Sequence, residues 1–458
     1  MTGRGQRAEG DGAGRRLPAT RGRARMTTRK NVVLISFDDA VSYWHYRSVF
    51  GVPLQTPNLD RICAEATVFD AAYCQAPICG PSRASFMSGK APPQTGIYDN
   101  TVDVFDRVAP EDIWTRRLRD AGWFCSSGGK VHHGYTPLKR RHHGRIYSDR
   151  QKRFDADTSL PPEADLVKFG GHRGGKATAD PAHDASYYDH QVADSAIEFL
   201  TTYDGDAPFY REVGFYSPHG PHYTPARFKE MYDEAAFVPP ADWDAGWPED
   251  LFIRERVPPR DLLEEGRAKW WRKSVRNYFS AMTHGDYHLG RVWEALMASP
   301  HADNTLVLIV ADHGFHLGDR NRFSKFTLFD QVGRVPFILW DPARRQGQRV
   351  SDPVALLDLG PTVLDHLGLS PIEGSPGRSL RPLCDGARAP ERAVPTFSND
   401  GIAVRHGRYR LIRYADGSTQ FFDLETDFWQ QRDLGQGHPD YAATLAALER
   451  TAHEHGAA

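Results

Sequence analysis

The chain has 458 residues, 40% of them hydrophobic and 25% charged, with 24 Phe, 18 Tyr and 10 Trp. That apolar content, with a formal net charge of only −2, excludes a disordered chain, and no apolar run approaches the roughly 18–20 residues that span a bilayer. The charge is uneven: residues 1–30 carry +7 and the remainder −9, the reverse of a duplex-binding body, so neither nucleic acid nor membrane is expected as a partner.

Residues 1–29 are rich in Gly and Arg and read as a basic, disordered extension, with Met26 an alternative start just before the first strand. The extension lacks an apolar h-region, so no secretory or twin-arginine signal is complete and a cytoplasmic location is expected. Asn31–Phe37 is a near-continuous apolar run, the mark of a buried parallel strand, and stops at Asp38-Asp39. Trp114–Ala121 reads as a helix closed by Gly122, Trp123–Ser126 as a short strand, His190–Tyr203 as a helix and Phe209–Phe215 as a strand. A helix over His288–Ala298 precedes a second apolar strand, Thr305–Ala311, which stops at Asp312-His313-Gly314. Val335–Trp340 reads as strand and Leu356–Leu367 as helix. The alternation predicts an α/β fold with a large doubly wound, mixed or parallel sheet flanked by helices.

From about residue 390 the pattern changes to short strands, Gly401–Arg405, Tyr409–Tyr414 and Thr419–Asp423, followed by a helix over Tyr441–His453. This predicts a smaller antiparallel sheet plus helix, so the organisation expected is an extension over 1–29, a catalytic α/β domain over 30–389 and a small α+β unit over 390–458. Residues 134–188 and 230–275 are irregular insertions of the kind that build substrate walls.

The candidate chemistry begins with acids. Asp38, Asp39 and Asp312 each follow a core strand, and open parallel sheets bind ligands at that edge. Either dipeptide alone is an ordinary strand-end turn. Together, three converging carboxylates need a cation; oxygen ligands favour calcium or magnesium, and His313 leaves manganese within reach. Of five scattered cysteines, Cys63, Cys74, Cys125 and Cys384 read as inert buried thiols. Cys79 differs. Pro81 suits a first helical turn and Ser88-Gly89 a helix end, which puts Cys79 at an anion-favouring N-terminus with Arg83 one turn on. The residues alone allow a nucleophile aimed at an anionic substrate, or a structural Cys beside a cap.

Cys79-Gly80-Pro81-Ser82-Arg83, closed by Ser88-Gly89, resembles the sulfatase signature. The resemblance runs from Asn31 to about Gly435 through Thr56–Asp60, Gly129–His133, Ser217-Pro218-His219, Asp312–Gly318, Lys325, Asp358–Leu364 and Phe422–Leu424. Within the family, Tyr98-Asp99-Asn100, Lys130–His133 and Asp312-His313 look closest to iduronate- and choline-sulfatase-like branches. The resemblance implies that Cys79 is oxidised to formylglycine by a transiently bound formylglycine-generating enzyme. It implies Asp38, Asp39, Asp312, His313 and the modified Cys79 as ligands of one divalent ion of calcium type. Arg83 would stabilise the modified residue, and Lys130, His133, His219 and Lys325 would hold sulfate oxygens and move protons. His133 is selected over His132 only by the Lys-x-x-His spacing; in a strand-like segment the two would face opposite sides. His222 and His316 are expected at the surface or in a lid, and Trp270-Trp271 in packing.

The function expected is hydrolysis of a small-molecule sulfate ester. The alternatives are a phosphonate monoester or phosphodiester hydrolase of the same superfamily, and a non-catalytic binding protein with unconverted Cys79. Homo-oligomerisation is left open.

Overall fold

The computed structural model describes residues 1–2, 30–154, 166–174, 176–248, 267–388 and 390–457. Residues 3–29 of the expected extension over 1–29, residues 155–165 and 175 of the first insertion and residues 249–266 of the second lie outside the described residues.

Seven strands form the main sheet: β1 (Asn31–Asp38), β2 (Thr67–Phe69), β3 (Phe124–Gly129), β4 (Phe209–Pro218), β5 (Thr305–Ala311), β6 (Phe337–Trp340) and β7 (Gln348–Val350). Their order is β7-β2-β6-β5-β1-β4-β3. β1 lies between β5 and β4, parallel to both, with Ile35 opposite Ile309 and Val213. Every residue of β1 and β5 is buried, which is why both read as unbroken apolar runs. β6 runs antiparallel to β5 and β2, making the sheet mixed.

Six helices matter to the site: α1 (Cys79–Ser88), α2 (Trp114–Asp120), α3 (Tyr188–Thr202), α4 (Ala268–Ala298), α5 (Leu359–His366) and α6 (Tyr441–Glu454). α3 and α4 pack on each other and on β4, α2 on β3, and α5 on α1. A second sheet of β8 (Ala393–Ser398), β9 (Gly401–His406), β10 (Tyr409–Tyr414) and β11 (Thr419–Asp423) is antiparallel throughout and carries α6. Among the described residues no helix is long and apolar enough to cross a membrane.

Several elements depart from the sequence expectation. α4 begins twenty residues before His288 and is 31 residues long; its buried face includes Ser274, Asn277, Ser280, Thr283 and His284, so its apolar period is blurred. Pro336 divides the expected Val335–Trp340 strand: Arg334–Val335 pairs with Ala72–Tyr73 in a small separate sheet, and only Phe337–Trp340 joins the main one. The Leu356–Leu367 helix opens as a 3₁₀ turn over Leu356–Asp358. The first insertion is not wholly irregular: it holds a helix, Arg140–Ile146, and a hairpin of Leu166–Lys168 with Lys176–Thr178.

Candidate active site

α1 is buried along its whole length, and Gly89 ends it at φ 73°, a left-handed cap that glycine adopts without strain. Cys79 occupies its first position, facing the carboxyl ends of β1, β3, β4 and β5. Those ends deliver the other side chains. Asp38 closes β1; Asp39 follows at φ 63°, and its backbone is clasped from α4 by Tyr278, whose hydroxyl donates to the Asp39 carbonyl (2.6 Å) and accepts from the Val41 N–H (2.9 Å). Asp312 and His313 follow β5, Lys130 follows β3, and His219 follows β4. Two glycines let β3 and β4 close at this edge. A Cβ on Gly214 would stand 2.0 Å from the Lys130 carbonyl oxygen, and one on Gly129 2.1 Å from the Gly214 carbonyl oxygen.

The structure brings all of the sequence-derived residues together. Carboxylate oxygens of Asp38 and Asp312, Nε2 or Nδ1 of His313 and the Cys79 sulfur lie within 4.8 Å of one another; a second such group comprises Asp38, Asp39, Cys79 and His219. His313 Nε2 is 3.2 Å and Lys325 Nζ 2.9 Å from the sulfur, His219 belongs to the second group, and His133 lies beside the start of α1, where a Cβ on Gly80 would meet its Cγ at 3.7 Å. Lys325 donates to Asp39 Oδ1 at 2.6 Å, and Lys130 is paired with Asp38. Arg83, fully buried, donates through Nε to Asp312 Oδ2 (2.9 Å) and through Nη1 to the carbonyls of Lys130 (2.7 Å) and Val131 (3.1 Å). It ties β5 to the Lys130 loop.

Charge is unevenly balanced here. Burial pushes the Asp38 carboxyl up, with Asp312, Cys79 and Asp39 adding to the rise and Lys130 opposing it. Burial alone would raise the Asp312 carboxyl too, but Arg83 and His313 hold it below the usual carboxylate range. Burial likewise opposes ionisation of the Cys79 thiol, yet Lys130, Lys325 and His313 bring it well below an ordinary thiol. The remaining cysteines are the reverse case: burial lifts Cys63 and Cys384 to about 11 and Cys74 to about 12. Burial lowers the His219 imidazole against the pull of Asp39.

Three expectations change. Lys130–His133 lies past the end of β3 in a bend, not in a strand, so strand alternation does not apply. The two histidines separate by partner instead: His132 Nε2 bonds the Tyr147 hydroxyl at 2.8 Å, while His133 faces Cys79. His222 and His316 are buried, 3% and 0% exposed, not at the surface. His316 is held by Asp319 and by Thr327 Oγ1, and its N–H donates to the Ser324 carbonyl, so it braces the segment that carries Lys325. Trp271 is buried packing as expected, with its Nε1 donating to the Leu317 carbonyl.

Sequence reading missed four supporting groups. Asn100 Oδ1 accepts from the Gly80 N–H (2.9 Å), at the start of α1. The Tyr135 hydroxyl sits between Lys130 Nζ (3.3 Å) and His219 Nδ1 (3.2 Å). Asp189 accepts from the N–H groups of Tyr216 (2.6 Å) and Ser217 (3.0 Å), fixing the turn before His219. Tyr278 clasps Asp39 as described. Only Asn100 carried a sequence signal, as part of Tyr98-Asp99-Asn100.

A family model described as Sulfatase matches residues 30–369. The chain belongs to the sulfatase family. A sulfatase of Formosa agariphila is 30% identical over 425 residues, covering 87% of this chain and 82% of the relative. The choline-sulfatase of Rhizobium meliloti is 26% identical over 459 residues, covering 93% and 88%. Among solved structures, one in complex with D-glucosamine-2-N,6-O-disulfate superimposes with a TM-score of 0.71 at 20% identity, covering 93% of this chain and 98% of that one. The phosphonate monoester hydrolase of Agrobacterium radiobacter does so with 0.70 at 19% identity, covering 93% and 95%. At these identities the structural likeness establishes the fold. The sulfatase-family assignment makes the chain a hydrolase acting on sulfuric ester bonds.

Proposed function

We propose that the chain hydrolyses a sulfate monoester at Cys79, converted to formylglycine by a transiently bound generating enzyme, with one divalent ion of calcium type held by Asp38, Asp39, Asp312 and His313. The observation that carries this reading is the convergence of three carboxylates, two lysines and three histidines around one buried sulfur. The donor set fits a hard ion. Asp38 Oδ1 is buried without a hydrogen-bond partner, its nearest cation being Arg83 Nη2 at 3.7 Å, and burial together with Asp312, Cys79 and Asp39 disfavours its anion, so a further cation at that atom would relieve the site. When bound, such an ion neutralises charge on the sulfate oxygens and on the nucleophile. A hydrated aldehyde at position 79 would supply one hydroxyl to attack sulfur, breaking the S–O bond to the alcohol, and a second whose deprotonation would re-form the aldehyde and break the C–O bond to sulfate.

The other steps belong to this chain's own groups. Lys325, in contact with the Cys79 sulfur, Lys130, paired with Asp38, and His133, beside the start of α1, hold the sulfate oxygens as negative charge gathers there. Arg83 fixes Asp312 and the Lys130 loop and so aligns metal ligands with sulfate ligands. His219 borders a cavity and is 17% exposed, which suits it to protonate the departing alcohol oxygen. Tyr135 holds His219 Nδ1 and sets its orientation.

The test has two arms. Mass measurement of the peptide containing Cys79 reads the exchange of thiol for aldehyde. Parallel turnover of an aryl sulfate, an aryl phosphonate monoester and an aryl phosphodiester ranks the substrates, with the sulfate expected first. An intact thiol in fully active protein overturns the nucleophile, and a higher kcat/KM for the phosphonate or diester overturns the substrate class.

A further inference from the structure

The first insertion sends its hairpin tip to the active site. Between Leu166–Lys168 and Lys176–Thr178, the His172 N–H donates to Ser274 Oγ on α4 (2.7 Å), and a Cβ on Gly171 would meet the α4 backbone at 2.8 Å. The tip is therefore docked on a rigid helix. Two of its residues, His172 and Arg173, line a cavity of about 170 Å³ that also reaches Asp39, His219 and Lys325. A cavity of about 150 Å³ accommodates a benzene ring, so this one holds a single ring with its substituents.

Arg173 is pinned at φ 47° against the loop carrying His219: its Nη1 donates to the Gly220 carbonyl (2.8 Å), and its own carbonyl accepts from the His222 N–H (2.8 Å). A Cβ on Gly220 would lie 2.5 Å from Arg173 Cδ, so glycine there lets the guanidinium stem lie along the loop. Among the described residues Arg173 has no carboxylate partner, and the sole acid on the cavity wall, Asp39, is held by Lys325. The opposite wall is aromatic: His172 stacks on Phe323 at 5.4 Å and 25°, with Phe315 beside it.

We propose that this cavity is the subsite for the alcohol part of the substrate, and that Arg173 binds a second anionic oxygen group on it, a carboxylate or a further sulfate, while Phe323 and Phe315 take the face of its ring. The proposal rests on the sulfatase reading of the neighbouring site. Its physical basis is that a guanidinium fixed by one N–H, with no acid beside it, keeps N–H donors for a planar oxyanion, and that a wall without free carboxylates disfavours a cationic ligand. Arg173 here is a specificity residue; it lies outside the group that surrounds Cys79.

The test compares wild type, Arg173→Gln and Arg173→Lys on three esters: 4-carboxyphenyl sulfate, its neutral carboxamide, and 1,4-phenylene disulfate. Arg173→Gln should lower kcat/KM at least tenfold more for the carboxylate than for the carboxamide, mainly through KM, and Arg173→Lys should recover part of the loss. The disulfate arm tells whether sulfate is accepted in place of carboxylate. Equal losses on charged and neutral esters would show a merely structural residue and overturn the proposal. Calorimetric titration of 4-hydroxybenzoate and 4-hydroxybenzamide into wild type and Arg173→Gln reads the subsite without turnover. Selective loss of benzoate binding supports the subsite even if no sulfate ester is cleaved, a result that would instead fall on the activity assignment. Unchanged benzoate binding overturns the subsite.

Discussion

Replacing Glu212 by Gln probes how the Lys130 loop is held. Glu212 lies on β4 with no exposed surface; its Oε1 accepts from Thr115 Oγ1 (3.0 Å) and its Oε2 from the Tyr147 hydroxyl (2.5 Å), which in turn accepts from His132 Nε2–H (2.8 Å). Burial, combined with Arg83 nearby, lowers the His132 imidazole to about 3, so that ring stays neutral and the chain of bonds has one direction. Burial also pushes the Glu212 carboxyl from 4.5 up to about 7 despite those hydrogen bonds. A carboxyl whose folded value exceeds its unfolded one contributes its stability below the unfolded value and loses it as pH rises through the folded value. The interval of about 2.5 units corresponds to about 3 kcal/mol, lost between roughly pH 4.5 and pH 8. Gln keeps the shape and an acceptor but does not titrate. Urea unfolding of both proteins at pH 5 and pH 8 should therefore show Glu212→Gln gaining about 2.5 kcal/mol relative to wild type on going from pH 5 to pH 8, since part of the loss precedes pH 5. A wild-type-minus-variant difference that is the same at both pH values would refute the reasoning, because it would mean Glu212 ionises in the fold as readily as in the unfolded chain.

Cys79→Ala should abolish turnover with little change in urea midpoint, and Cys79→Ser should fail in multiple turnover, since a single hydroxyl leaves no route to release sulfate; near-normal steady-state turnover by the serine variant would contradict the mechanism. Dialysis against a chelator should remove activity and calcium or a similar hard ion restore it. Asp312→Asn should lower kcat/KM on the order of a hundredfold or more, beyond the loss from Lys325→Ala, because it removes a ligand and the partner of buried Arg83. Gly214→Ala should destabilise by about 3 kcal/mol and impair turnover, since its Cβ would stand 2.0 Å from the Lys130 carbonyl oxygen and force β3 and β4 apart; a normal unfolding midpoint would show that the strands relax without cost.

The core strands and the chemical inventory were legible because each is written locally. β1 and β5 are buried on both faces, so seven or eight consecutive residues declare them, and an acid at the end of such a run is at once placed at the ligand-binding edge. Cys79, Pro81 and Gly89 mark a helix start and stop within a dozen residues. The elements that were misread have an environment set from elsewhere: α4 buries polar residues, so its apolar stripe is interrupted, and Arg334–Val335 leaves the main sheet because Pro336 and Tyr73 offer a different partner.

The sequence by itself determined which groups are present, that three acids end core strands, and that Cys79 begins a helix. Only the tertiary structure decided which of two adjacent histidines faces the sulfur, because His132 is claimed by Tyr147, fifteen residues away and anchored through Glu212 on another strand. It also decided that His316 braces Lys325, that Tyr135 links Lys130 to His219, and that Arg173 reaches the site from an insertion with no readable motif. The physical reason is one of range. Backbone periodicity and caps act over three or four neighbours, whereas the partner that orients a buried side chain is chosen by packing between segments tens to hundreds of residues apart, where burial makes each unpaired polar group costly and so leaves one arrangement favoured.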